Sequence, residues 1–218
     1  MKVTLFTRLM PSFNMGWHYF FILVSNERVD ISGGNYMSVK SKNNNEIILS
    51  KTIWLGQVDA PVALVEFGDY QSEGCAKAHE VIKQLLPIFE GKIKFNFRHF
   101  PLSQVHQFAM KAAEAAVAAA RDGKFWEMHD ILFENRRQLG TISLKSYARE
   151  IGITDKRFLD NLVNSVYSWQ VRDDLIEGLQ QGVRDVPTFF INGEKFCQEP
   201  TVSNFKKAIQ QVLQSDEY

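Results

Sequence analysis

The sequence predicts an α/β fold, a central mixed sheet flanked by helices and carrying an inserted all-helical subdomain, and three observations carry that prediction. An apolar run, Val62-Ala63-Leu64-Val65-Glu66-Phe67, is followed by an amphipathic stretch and then by Lys92 to Phe100, which alternates at period two. Strand, helix and strand in that order make a parallel crossover unit. Helical patterns then fill the chain to Gly182, after which Val186-Pro187-Thr188-Phe189-Phe190-Ile191 returns to strand ahead of Asn192-Gly193, a strong hairpin signal.

Each element has its own reason. Residues 38 to 46 are polar and aperiodic, as a linker is, so the folded part is expected to begin near Ile47. The continuous apolar character of Val62 to Phe67 suits a strand buried on both faces, with Glu66 as its anomaly. Ser72 is a good N-cap for a helix reaching Phe89, whose apolar face holds Val81, Ile82, Leu85, Leu86 and Phe89. Further helices are expected from about Val105 to Arg121, Phe125 to Arg136, Leu144 to Ile151, and Asp155 to Gln181 with at least one break. Ser143 and Asp155 serve as expected caps, and Gly123, Gly140 and Gly152 as stops. A last helix is expected from about Val202 to Leu213. The resulting organisation is a leader or linker over 1–46, expected to be poorly ordered, a sheet-bearing domain over 47–104 and 183–214, and a helical insertion over 105–182.

Composition narrows the function classes. With 218 residues, 45% hydrophobic and 23% charged, the chain is long enough for one well-buried core. Its 25 basic and 25 acidic residues cancel, so no net field draws it to nucleic acid or to an anionic membrane. Two cysteines, Cys75 and Cys197, are too few for a disulfide framework or a structural zinc site, and no metal is expected. Lys2 and Arg8 ahead of the apolar run Trp17 to Val24 imitate a signal peptide, although His18 interrupts the run and no small-residue cleavage site follows. That run is far short of the roughly 20 residues that span a bilayer, so no membrane anchor is expected. An alternative start at Met37 would make the segment an upstream extension. The cysteine usage leans toward the cytoplasm, with a periplasmic or secreted location if the N-terminal segment acts as a signal.

Several stretches, in order, carry a resemblance: Asp59-Ala60-Pro61-Val62, Glu66-Phe67-Gly68-Asp69-Tyr70-Gln71, Phe97-Arg98-His99-Phe100-Pro101-Leu102, Gly123-Lys124-Phe125-Trp126-Glu127-Met128-His129 and Val186 to Gly193. Over about residues 47 to 214 the chain resembles the DsbA-like family of thiol-disulfide oxidoreductases, which have a thioredoxin fold with a helical insertion. The resemblance implies protein or peptide thiols as partners and no cofactor. It places Cys-x-x-Cys at the junction of strand and helix, where this chain reads Ser72-Glu73-Gly74-Cys75.

That departure decides the chemistry. A cysteine at a helix N-terminus is lowered in pKa by the helix dipole and attacks as a thiolate. For a hydroxyl with a pKa near that of water, ~15.7, ionisation at neutral pH costs roughly 11 kcal/mol, against about 2 kcal/mol from a helix terminus. Ser72 therefore cannot take the attacking role, and the dithiol activity is expected to be impaired. Cys75, at the position the resemblance gives to the resolving thiol, reads as a small apolar core residue, as a reactive monothiol, or as a partner for Cys197. Glu66 reads as a buried acid that moves protons for that thiol, or as a solvated or hydrogen-bonded strand residue. By the resemblance, Val186, Pro187 and Thr188 form the substrate-binding edge, with Pro187 cis and facing the 72–75 corner.

Two uses of the site follow. A small thiol such as glutathione would supply the missing sulfur, as in the kappa-class glutathione transferases, which resemble this site in placing serine first. Alternatively the surface beside Pro187 holds peptides without redox chemistry, as a chaperone-like module does. His79, four residues after Cys75, shares its helical face, which is half a metal site at best. His99, His106 and His129 are expected to pack or to hydrogen-bond. No glycine-rich phosphate loop and no serine-hydrolase elbow is present.

Overall fold

The structure, a computed structural model, describes residues 48–215, so the expected leader and linker fall outside the described residues. After a short 3-10 turn at Ser50–Thr52 come β1 (Leu55–Gly56), β2 (Val62–Gly68), α1 (Glu73–Ile88) and β3 (Ile93–His99). Five helices follow: α2 (Ala109–Ala120), α3 (Phe125–Glu134), α4 (Thr141–Glu150), α5 (Arg157–Val163) and α6 (Ser168–Gln180). The hairpin of β4 (Thr188–Ile191) and β5 (Glu194–Phe196) and then α7 (Val202–Ser215) complete the chain.

The sheet order is β1-β3-β2-β4-β5, with β2 and β3 parallel and the other pairs antiparallel. β2 is central, and its register sets Glu66 between Phe97 of β3 and Phe189 of β4. That face packs on α3 and α7: Phe97 meets His129 at 4.6 Å between ring centroids, and Phe189 meets Phe205 at 5.0 Å. The hairpin turns on Asn192 (φ 48°) and Gly193 (φ 85°), the two positive φ values a type I′ turn requires. Asn192 also accepts the Ala63 N–H through Oδ1 at 2.7 Å, so one side chain both makes the turn and ties it to β2.

β3 forms within the period-two segment Lys92 to Phe100, and its second face is covered as well as its first. Asn96 and Arg98, the polar members of that alternation, are buried. Asn96 Nδ2 donates to the carbonyls of Ser50 and Ile53 at 2.7 and 2.8 Å. Arg98 Nε donates to Asp174 Oδ1 at 2.7 Å, and its two Nη atoms donate to Glu177 at 3.0 and 2.6 Å. Asp174 Oδ2 also accepts from the Ser50 hydroxyl and from the His99 N–H. A charged pair is tolerated in the interior when further hydrogen bonds support both partners, and here Arg98 donates three and Asp174 accepts three. α6 comes this close because Gly178 has no side chain: a Cβ there would stand 2.8 Å from Phe100 and 2.9 Å from Phe67.

The inserted helices share the core of the sheet. One buried cluster runs from Leu64 and Phe97 through Met128 and Leu132 to Leu144 and Leu162. At its centre α2 is buried almost all round by alanines, whose small side chains let helices approach from several sides. Its start is later than expected, because residues 100–108 form a loop whose backbone is captured by side chains from the end of β2. Leu102 N–H donates to Asp69 Oδ2 at 2.8 Å, and Phe108 N–H to Gln71 Oε1 at 2.6 Å. Ser143 lies inside α4 and caps nothing, and Gly140, expected as a stop, is the residue before that helix begins. Gly123 and Gly152 do end segments, with φ of 69° and 90°. The expected break between α5 and α6 falls at Ser165, with φ 53°.

Candidate functional site

The end of β2 and the first turn of α1 form the predicted corner. Ser72 precedes the helix in extended conformation, and its hydroxyl oxygen accepts the Cys75 N–H at 3.3 Å. This satisfies one of the N–H groups that a helix start leaves free. Glu73, exposed in the first turn, is held by Lys77 at 2.9 Å with Arg136 at 3.7 Å, and both cations keep its carboxyl below the usual range. A carboxylate at this end favours the helix and opposes a neighbouring thiolate.

Cys75 is fully buried, 0% exposed, and its Sγ accepts the Asp69 N–H at 3.4 Å. Burial pushes the thiol far above its ordinary pKa, with the nearby Glu66 charge adding to the rise, so it stays protonated. Of the three readings of Cys75, burial favours the core thiol. Cys197 is exposed and both cysteines are free, so they are not paired with each other. The β4–β5 register pairs Phe189 with Phe196, which, continued by one residue, sets Thr188 opposite Cys197.

Glu66 is a buried acid and not a solvated strand residue: it is 1% exposed and its Oε1 has no hydrogen-bond partner. Desolvation holds its carboxyl well above the usual range, which favours the neutral acid beside Cys75. A protonated carboxyl next to a protonated thiol can pass a proton only if one of the two groups changes state.

The Val186-Pro187 bond is cis, and Pro187 closes on the corner. A Cβ built on Gly74 would stand 3.1 Å from Pro187 Cδ, 3.6 Å from Ser72 Oγ and 3.7 Å from the Val186 carbonyl oxygen. Gly74 thus permits the helix turn and the proline to meet. Val186 is buried, while Pro187 and Thr188 are partly exposed; the Thr188 hydroxyl donates to the Asp185 carbonyl at 2.7 Å. The structure therefore brings Ser72, Cys75, Val186 and Pro187 to one corner, with Glu66 beneath it.

Asp69 is the residue that sequence reasoning passed over. Its carboxylate accepts from Gln71 N–H at 2.7 Å, Leu102 N–H at 2.8 Å and His106 Nδ1 at 2.8 Å, while its own N–H reaches Cys75 Sγ. The signal available was its place next to the turn, where an Asp so often bonds the backbone two residues on. His106 hydrogen-bonds and His99 packs, as expected; His129 does both, its Nδ1 lying 3.1 Å from the Tyr70 hydroxyl. Both His99 nitrogens are without partners, and burial lowers its pKa to about 4.

Comparison with known proteins bears on this corner. A family model described as thioredoxin matches residues 49–211. Oxidised BdbD from Bacillus subtilis has the same fold, with a TM-score of 0.68 at 24% identity over 74% of this chain and 92% of that one. A thioredoxin-like oxidoreductase from Silicibacter pomeroyi gives 0.66 at 20% identity (74% and 92% covered), and the thiol-disulfide exchange protein alpha-DsbA2 from Wolbachia pipientis 0.63 at 23% (73% and 86%). Among curated proteins, the Na(+)/H(+) antiporter NhaA 1 of Salinispora arenicola is 36% identical over 140 residues, 64% of this chain and 21% of that protein. NhaA 1 of Mycobacterium sp. strain KMS is 36% identical over 142 residues, 23% of its length. The chain thus spans about a fifth of the length of these curated relatives.

Proposed function

Because the chain belongs to the thioredoxin family and has the fold of the DsbA-like thiol-disulfide oxidoreductases, we propose that it is a DsbA-like member whose own dithiol cycle is impaired. In this reading it engages protein or peptide thiols at the edge formed by Val186, Pro187 and Thr188, and any exchange needs a sulfur from a second molecule. The observation that supports it most is the pair at the start of α1: a serine hydroxyl occupied in capping the helix, and a thiol that is buried and protonated. Neither group can attack a disulfide at neutral pH.

Glutathione assistance is the second reading, and one feature favours it. Ser72 Oγ accepts the Cys75 N–H, which leaves its own O–H free to donate to a thiolate placed over the helix N-terminus. The antiport in the names of the curated relatives is not carried over to this chain, since the match covers about a fifth of their length. Among the described residues no helix is long and apolar enough to cross a membrane.

Insulin reduction with dithiothreitol or glutathione as donor tests the reading. The wild type should be near background with dithiothreitol, and Ser72→Cys should gain activity, because residues i and i+3 at a helix start lie within disulfide reach. Substantial wild-type activity with dithiothreitol alone would refute the impaired cycle. Activity that appears only with glutathione would select the second reading.

A further inference from the structure

We propose that His79, His129 and Asp130 form a site for one divalent transition-metal ion, zinc by the chemistry of its donors, with a coordination position open to solvent. One donor atom from each residue lies within 4.8 Å of the other two. His79 comes from α1 and the other two from α3, so the ion would join the helix that carries the corner to the insertion. His79 Nε2 stands 3.4 Å from Asp130 Oδ1. This is close to the roughly 3.3 Å edge of a tetrahedron whose ligands lie ~2.0–2.1 Å from zinc.

An independent observation points to a missing ligand. His79 is 5% exposed, and its Nε2 has no hydrogen-bond partner, the approach to Asp130 lacking hydrogen-bond geometry. A buried polar atom without a partner calls for an occupant. The support for His129 is also in place: its Nδ1 lies 3.1 Å from the Tyr70 hydroxyl, and a metal on Nε2 would match an Nδ1–H donated to that oxygen.

The electrostatics agree with the geometry. Around Asp130 the carboxylates of Glu80, Glu127 and Glu134 outnumber the Lys83 ammonium, a local field that attracts a cation. Asp130 is half-exposed, which supplies an entry path and room for a water ligand. Two imidazoles and one carboxylate suit zinc and its transition-metal neighbours, whereas calcium and magnesium favour all-oxygen sets.

Zinc chloride titrated by calorimetry into the full chain after chelator treatment tests the site, with cobalt chloride absorption as a second readout. One ion per chain is expected, with a cobalt spectrum free of thiolate charge transfer. Asp130→Asn, at a half-exposed position, and His79→Gln should each weaken zinc by roughly tenfold or more, and Cys197→Ser should leave it unchanged. Zinc should also raise the melting midpoint of the wild type, and raise that of Asp130→Asn less at the same zinc concentration. Substoichiometric binding, an affinity unaltered in both ligand variants, or binding lost in Cys197→Ser would each overturn the proposal, the last by assigning the ion to the exposed thiol.

Discussion

Gly74 and Pro187 meet in tight contact: a Cβ on Gly74 would sit 3.1 Å from the proline Cδ. Gly74→Ala is expected to be near neutral, since the helix gains up to about 1 kcal/mol of propensity while Pro187 must give by a few tenths of an ångström. Gly74→Val should cost about 1–3 kcal/mol by overpacking the corner. Urea unfolding of the two variants measures the contrast, and equal stabilities would show that the proline yields freely.

Arg98 binds two carboxylates inside the protein, and its removal strands Asp174, which is buried. Arg98→Met should therefore destabilise by about 3–5 kcal/mol. Adding Asp174→Leu should recover part of the loss, because the pair then leaves no buried charge. Chemical denaturation of the single and double variants reads both effects.

Glu66 gives stability a slope on the alkaline side. Its carboxyl is raised above the ordinary 4.5 in the folded state, so above that pH the unfolded chain ionises first and stability falls as pH rises toward the folded value. Glu66→Gln has no such proton. Its stability relative to wild type should improve between pH 5 and pH 8, whatever its offset at pH 5, and unfolding midpoints at the two values check this.

His99 gives the opposite slope. Its folded pKa of about 4 lies below the ordinary 6.5, so its contribution is whole above pH 6.5 and is lost as pH falls toward 4, when the unfolded chain takes up the proton. The loss is at most about 3 kcal/mol. His99→Leu removes it and also removes two unpartnered nitrogens. Thermal melts from pH 7 to pH 4.5 should show a shallower fall for the variant than for the wild type.

What the sequence revealed followed from local signals. The central strand, the Ser72 cap, the Asn192-Gly193 turn and the α5–α6 break each rest on residues a few positions apart, and each is present in the structure. Long-range pairing was hidden. Alternation along Lys92 to Phe100 revealed the strand but not the burial of Arg98, because nothing within that segment announces that Asp174 and Glu177 will cover it. Residues 105–108 have helical composition but precede the helix, and the long-range bonds of this loop, Asp69 to the Leu102 N–H and Gln71 to the Phe108 N–H, leave no local sign in the sequence. For the same reason His79 showed only half of a cluster whose other half lies on α3.

Asp69 changes how the corner responds to a visitor. One carboxylate joins the end of β2, the Leu102 backbone and His106, and its backbone N–H is pinned to the sulfur of Cys75. Three segments, the end of β2, the 100–108 loop and the first turn of α1, are thereby tied together. On the proposed reading, a polypeptide docking at Pro187 would meet a wall already set in place, and little of its binding energy would go into ordering that wall. Complexes at this edge should accordingly be governed by shape fit, with the protein's corner changing little between its free and bound forms.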